Sequence, residues 1–177
     1  MREISMHIMD IAENGITAGA NCIHIRIDED RIKNSYGIQI SDNGKGMSDD
    51  FLEKVTDPFV TTRKTRRVGL GLAFLKEAAL RCNGTFHVTS EPGKGTTVEA
   101  FFEHNHIDRA PTGDMAGSVT VLIAGNPGID FVYSHIIDGE EFSLDTRELR
   151  GSDISLEDPE IIINLARLIR EKLDELS

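Results

Sequence analysis

Residues 36–47 read Tyr36-Gly37-Ile38-Gln39-Ile40-Ser41-Asp42-Asn43-Gly44-Lys45-Gly46-Met47. Tyr36, Ile38 and Ile40 alternate with small or polar residues, the period of a strand with one buried face. The strand ends in a carboxylate and two glycines. Glycine admits positive φ and lets a flat ligand lie close to the backbone. A carboxylate at the floor of such a pocket can accept a hydrogen bond from an exocyclic amine. Asp42-x-Gly44-x-Gly46 by itself is equally what a tight turn after a strand looks like, so the flanking sequence has to decide.

Upstream, residues 3–18 carry a helical period, with Ile4, Ile8, Ile11 and Ala12 on one face. His7, Asp10, Asn14 and Thr17 share an adjacent face at spacings of three and four. A helix packed only for its core needs no carboxylate and amide one turn apart beside its apolar stripe. The pair is either part of a solvated face or aimed into a cleft. In a cleft, the Asn14 carbonyl oxygen is a hard donor suited to Mg²⁺, and Asp10 can orient or deprotonate a nucleophile. Gly19-Ala20-Asn21 ends the helix. A second alternation follows, with Ile23, Ile25 and Ile27 inward and Cys22, His24, Arg26 and Asp28 outward.

Downstream, Ser48 is placed to cap a short helix bearing Phe51, Leu52 and Val55. The run Asp57-Pro58-Phe59-Val60-Thr61-Thr62-Arg63-Lys64-Thr65-Arg66-Arg67 then gathers four cations in a chain of net charge −11. It reads as a solvated loop or as a lid whose cations meet a polyphosphate. Gly69 and Gly71 favour the lid, because they open a helix over residues 70–82 with Leu72, Leu75, Ala79 and Cys82 inward. A glycine-rich loop entering a helix offers free N–H groups and a positive dipole end to phosphate. Two further strands, Thr85–Ser90 and Thr96–Glu103, flank the turn Glu91-Pro92-Gly93-Lys94-Gly95. Lys94 is followed by Gly95, so this turn is not a Gly-x4-Gly-Lys-[Ser/Thr] phosphate loop.

In this order the features resemble the GHKL ATPases, the ATP-binding domains of gyrase, heat-shock chaperones, histidine kinases and mismatch-repair proteins. The nearest likeness is the catalytic domain of bacterial histidine kinases with a short lid. There, Asp-Pro-Phe-x-Thr-Thr-Lys precedes Gly-Leu-Gly-Leu, and Ser-x-Pro-Gly-x-Gly-Thr follows. Here the matching segments are Asp57 to Arg63, Gly69-Leu70-Gly71-Leu72 and Ser90 to Thr96. The resemblance covers residues 1 to about 103 and implies an α+β fold. This would be a two-layer α/β sandwich of the Bergerat ATP-binding type, a mixed sheet with helices on one face.

It also implies ATP and Mg²⁺ as cofactors. Asn14 would hold the Mg²⁺. Asp10 would stand in the place of the catalytic general base, which is usually Glu in the hydrolysing members. Asp42 would take the adenine amine directly and through a water shared with Thr96. Gly44 and Gly46 would lie against the base, and Thr62, Arg63 and Lys64 would line the lid. Gly69-Leu70-Gly71-Leu72 would reach the phosphates, capped by the two glycines.

The departures shape the functional expectation. The motifs begin almost at Met1, so the expectation is a stand-alone domain without the dimerisation and phosphoacceptor hairpin of the kinases. The segment Glu13 to Ala20 looks like the mismatch-repair version, yet the Gly-Phe-Arg-Gly-Glu motif of those proteins is missing. Anti-sigma serine/threonine kinases share the acidic-x3-Asn spacing. The expected activity is Mg-ATP-dependent phosphoryl transfer to a partner protein in trans, in signal transduction. The alternatives are a nucleotide-switched binding module, a slow ATPase, or an anti-sigma-type kinase.

Charge divides the chain. Residues 1–103 hold 13 Lys/Arg against 15 Asp/Glu, and residues 104–177 hold 6 against 15. The expectation is an ATPase domain over 1–103, a linker over 104–112 and a small acidic α+β appendage over 113–177. His104-x-His106 supplies too few ligands for a metal, and a solvated linker is its plainer reading. Residues 113–124 fit either a strand or a helix, with the helix preferred. Asp138-Gly139 marks a hairpin, and Asp158-Pro159 starts a terminal helix.

The acidic balance argues against nucleic acid as partner. No segment is apolar for long enough to span a membrane, and the N-terminus has no signal-peptide pattern. Cys22 and Cys82 make no disulfide framework. The expected location is the cytoplasm. The terminal helix stripe packs on the rest of the chain or forms a partner surface, and a homodimer stands open.

Overall fold

The computed structural model describes residues 3–57 and 69–177. The chain runs α1 (Ile4–Thr17), β1 (Cys22–Asp30), β2 (Ser35–Asp42), α2 (Asp49–Val55), α3 (Gly69–Arg81), β3 (Thr85–Glu91) and β4 (Gly95–Glu103). It continues with α4 (Met115–Gly125), β5 (Asp130–Ile137), β6 (Glu140–Asp145), α5 (Thr146–Gly151) and α6 (Pro159–Leu176). The six strands among the described residues form one sheet in the order β3-β4-β2-β1-β5-β6. Its pairs are antiparallel except β1 with β5, which is parallel. The architecture is therefore a mixed sheet with helices, the α+β class expected.

Register explains where the core sits. Ile25 lies opposite Ile40, and Ile40 opposite Val98; Ile27 faces Ile38, and Ile38 faces Ala100. All of these side chains are buried. On the parallel side Ile23 and Ile25 meet Phe131 and Tyr133. The alternating partners His24, Arg26, Gln39, His87 and Thr89 stay exposed, so the described residues cover one sheet face and leave these side chains of the other open. Over it lie α1, α3, α4 and α6, with α1 touching α3 and α4, and α4 touching α6. Each isoleucine buried in this layer contributes roughly 1.5–3 kcal/mol, which makes the β1–β2–β4 centre the firm part of the fold.

Residues 113–177 do not stand apart from this sheet. They add β5 and β6 to the edge of β1 that would otherwise leave its backbone groups unpaired, and they lay α4 beside α1 and α6 against α4. Residues 104–112, read from sequence as a linker, are tied down. Ile4 N–H and Ser5 N–H donate to the Pro111 and Thr112 carbonyls, each at 2.9 Å. Glu3 at the N-cap makes no side-chain cap, so these carbonyls satisfy the orphan donors of the first turn. The Arg109 guanidinium stacks 4.7 Å over the Tyr36 ring, and the Tyr36 hydroxyl meets Thr112 Oγ1 at 2.9 Å.

Local signals in the second half act as read. Residues 115–125 are helical, with the Asp114 carboxylate accepting from Gly117 N–H. Asp138 and Gly139 both have positive φ, 50° and 88°, as a two-residue hairpin turn requires. Asp158 caps α6 ahead of Pro159. The short helix α5 carries no apolar period, and the sequence reading passed over it.

Candidate functional site

The carboxyl end of β2 and the loop after it, the second half of α1, the start of α3 and the start of β4 converge on one cavity of about 420 Å³. A pocket of that size suits a nucleotide-sized ligand. Its polar lining includes Asn14, Thr17, Asp42, Lys45 and Thr96, while Ile11, Met47, Phe51, Leu72 and Val98 supply apolar wall. Polar groups at the floor with apolar walls suit a flat, amine-bearing ring.

Asp42 sits half-buried at that floor. Burial pushes its carboxyl pKa up, and backbone N–H groups of Gly44 and Thr96 pull against that shift. Gly44 N–H donates to Asp42 Oδ1 at 2.8 Å. The next residue, Asn43, pins the loop to the start of β1: its Oδ1 accepts from Asn21 N–H at 2.9 Å and Cys22 N–H at 3.1 Å. Lys45 N–H donates to the Ala18 carbonyl at 2.9 Å, which fastens the loop to the end of α1. Met47 N–H donates to Ser90 Oγ at 2.8 Å. The acidic turn is thus held from three sides before any ligand arrives.

Two glycines are required by close contact. A Cβ on Gly15 would lie 2.8 Å from Asp42 Cβ, so α1 can cross β2 only there without a side chain. Gly46 has φ +69°, and a Cβ there would lie 2.1 Å from the Glu91 carbonyl oxygen. Gly44 is buried and abuts Ala18; of the two glycines, Gly46 alone lines the cavity.

Asp10 lies one turn before Asn14 on α1 and outside the cavity lining. A Cβ on Gly71 would lie 3.3 Å from Asp10 Cβ, which sets the carboxylate against the first turn of α3. Burial raises its pKa above the ordinary Asp value, against a smaller opposing pull from the positive chain terminus. Gly69, Leu70, Gly71 and Leu72 all fall in that first turn, and Leu72 lines the cavity. Thr62, Arg63 and Lys64 lie outside the described residues.

His7, on the face shared with Asp10 and Asn14, does not reach the cavity. It is 4% exposed, and its Nδ1 has no hydrogen-bond partner among the described residues. Burial lowers its pKa to about 4, so the ring is neutral near pH 7. His104 belongs to a different cluster at the far end of the sheet. Its Nε2 lies 3.2 Å from Glu29 Oε2, while His135 Nε2 lies 2.7 Å from Glu29 Oε1. No group of three or more His, Cys, Asp or Glu among the described residues is arranged to hold a metal.

Sequence reasoning missed Lys45, Met47, Phe51 and Val98 as lining residues, and Asn43 and Ser90 as supports. Lys45 and Met47 stand inside the quoted stretch, and Phe51 on the inner side of α2. Their spacing was visible, but their convergence depends on how α2 folds back.

Fold and site together define an ATPase-type nucleotide-binding domain. The histidine kinase-, DNA gyrase B-, and HSP90-like ATPase family matches residues 2–106, and the chain belongs to that family. It is 34% identical over 100 residues to sensor kinase CckA of Brucella abortus (strain 2308), covering 48% of this chain and 11% of that protein. To sporulation kinase D of Bacillus subtilis (strain 168) it is 33% identical over 95 residues, covering 54% and 19%. The matched segments are therefore a fifth or less of those relatives' lengths. Among solved structures, the MutL ATPase domain of Aquifex aeolicus complexed with ADP matches with a TM-score of 0.50 at 14% identity. That match covers 95% of this chain and 70% of the other, and shows the shared fold. No helix among the described residues is long and apolar enough to cross a membrane.

Proposed function

We propose that this chain binds Mg-ATP in the Asp42 cavity and transfers the γ-phosphoryl group to a partner protein in signal transduction. The observation that carries the reading is the Asp42 carboxylate, held by two backbone N–H groups at the floor of a cavity with apolar walls. It accepts from the adenine amine. The first turn of α3 offers its N–H groups to the phosphates. The residues fit a Mg²⁺ ion: Asn14 supplies one hard oxygen, and the ATP phosphates and water supply the rest, as this ion prefers. Bound there, the ion would neutralise phosphate charge. Asp10, its pKa raised by burial, orients the acceptor group and takes its proton. Phosphoryl transfer needs positioning and charge neutralisation more than covalent chemistry.

A second reading, a nucleotide-switched binding module, draws support from the tie between α1 and residues 111–112. Nucleotide on Asn14 would pull on the helix whose first turn those residues hold. One experiment separates the readings. The protein is incubated with candidate partner, Mg²⁺ and γ-labelled ATP. Transfer predicts label on the partner, acid-labile for histidine and acid-stable for serine or threonine, lost in Asp10→Asn. A switch predicts nucleotide-dependent complex formation that survives Asp10→Asn with no label moved. Steady phosphate release without label on protein would leave a slow ATPase.

A further inference from the structure

Ser90, near the end of β3, lies opposite Thr96, near the start of β4. Its hydroxyl has three partners among the described residues. Met47 N–H reaches Ser90 Oγ at 2.8 Å, the Gly95 carbonyl lies at 3.1 Å, and Thr96 Oγ1 lies at 2.8 Å. A hydroxyl has one proton and two acceptor sites. Met47 N–H can only donate, and the Gly95 carbonyl can only accept. All three contacts are made at once when the Ser90 proton goes to Gly95, Met47 N–H fills one acceptor site and the Thr96 O–H fills the other. In that arrangement Thr96 has no proton left for the cavity it lines, and its oxygen faces a ligand as an acceptor.

Thr96 is the register partner of Asp42, whose carboxylate is also an acceptor. Two acceptors thus stand side by side at the cavity floor. We propose that Ser90 is a specificity-determining positioning residue: by fixing the Thr96 hydroxyl as an acceptor, it makes the base site prefer a 6-amino purine over a 6-oxo purine. This rests on the reading that the base of ATP enters this cavity. An exocyclic amine, or a water ordered by it, donates to this pair. A 6-oxo group in the amine's place brings a third acceptor and sets lone pairs against lone pairs there, and the N1–H donor that accompanies it lies one ring position away. Sites that hydrogen-bond a polar group reject analogues lacking the matching donor far more strongly than sites that read shape. With Ser90 gone, the Thr96 hydroxyl can turn its proton inward and accommodate the oxo group.

The test measures Kd for Mg-ATP and Mg-ITP on the full chain as wild type, Ser90→Ala, Ser90→Thr and Thr96→Val, with a thermal melt of each. ITP differs from ATP only in carrying the 6-oxo base. The proposal expects the ITP-to-ATP ratio of Kd values to fall about tenfold in Ser90→Ala, the scale of one hydrogen bond redirected. Ser90→Thr, which keeps the hydroxyl, should hold the wild-type ratio. Equal weakening of both nucleotides in Ser90→Ala would mean a merely structural role and would overturn the proposal, as would an unchanged ratio. If Ser90→Ala does not fold, Thr96→Val decides: a fallen ratio supports the assignment and a preserved ratio overturns it. Wild-type protein that binds neither nucleotide would overturn the reading of the cavity, and the role of Ser90 with it.

Discussion

Gly15 and Asp42 meet where α1 crosses the end of β2: a Cβ on residue 15 would lie 2.8 Å from Asp42 Cβ and 3.1 Å from its Oδ2. The carboxylate therefore has its position only because residue 15 has no side chain. In an ordinary helix interior, Gly→Ala gains up to about 1 kcal/mol in helix propensity. Here Gly15→Ala should instead displace Asp42, raising the Kd for ATP about tenfold or more while the melting temperature moves little. Calorimetric titration with a parallel melt checks both halves, and an unchanged Kd would show that Asp42 can shift without consequence.

Asp10 borders Gly71 and the first turn of α3 but does not line the cavity. Asp10→Asn should therefore leave nucleotide affinity within about twofold. It should cut turnover, phosphoryl transfer or phosphate release, by roughly 10²–10⁴, the usual contribution of a general base. The working form of Asp10 is the carboxylate, and burial raises its pKa. Turnover should then be present above that raised pKa and fall as pH drops through it. Rate against pH, with Kd measured at each point, separates loss of base from loss of binding.

His7 predicts a pH dependence of stability. Its folded pKa is lowered by burial to about 4 from 6.5. A depressed folded value means that the unfolded chain takes up the proton first. Its contribution is fully present above pH 6.5 and is lost as pH falls toward 4. Urea unfolding between about pH 7 and pH 4 should show this decline. His7→Leu should flatten that part of the profile, since it removes both the titration and a buried Nδ1 without a partner among the described residues. An unaltered slope in His7→Leu would assign the decline to other groups.

Glu29 holds the opposite end of the sheet. Burial raises its pKa, but hydrogen bonds and charge from His135 and His104 outweigh this, and the net shift is downward. Glu29→Gln should cost about 1.5–3 kcal/mol, the scale of hydrogen bonds to a charged group. It should leave ATP affinity intact, because Asp42 pairs with Ile23 at the other end of β1. Denaturant melts with and without nucleotide test the separation.

Much of this was legible in the chain itself. The alternation of Ile23, Ile25 and Ile27 and of Tyr36, Ile38 and Ile40 reports a one-sided sheet because strand side chains alternate with period two. Asp42, Asn14, Gly46 and Thr96 could be read as a group because the motifs recur in a fixed order. Other parts depend on contacts between residues distant in sequence. Nothing local says that β5 pairs in parallel with β1, or that Pro111 and Thr112 cap α1. Gly15 reads as a weak point in a helix until β2 is seen beneath it. Phe51 enters the site only through the path of α2, Lys45 through its backbone bond to Ala18, and Ser90 through its pairing across the hairpin with Thr96.

The most direct test of the account is calorimetric titration of Mg-ATP into wild-type protein and Asp42→Asn. The asparagine keeps an oxygen for the Gly44 N–H but removes the charge and replaces the second acceptor with a donor. The account predicts measurable binding by the wild type and a loss of about a hundredfold or more in Asp42→Asn, with the ligand-free melting temperature nearly unchanged. Equal affinity in the two proteins, or no binding by a folded wild type, would contradict it.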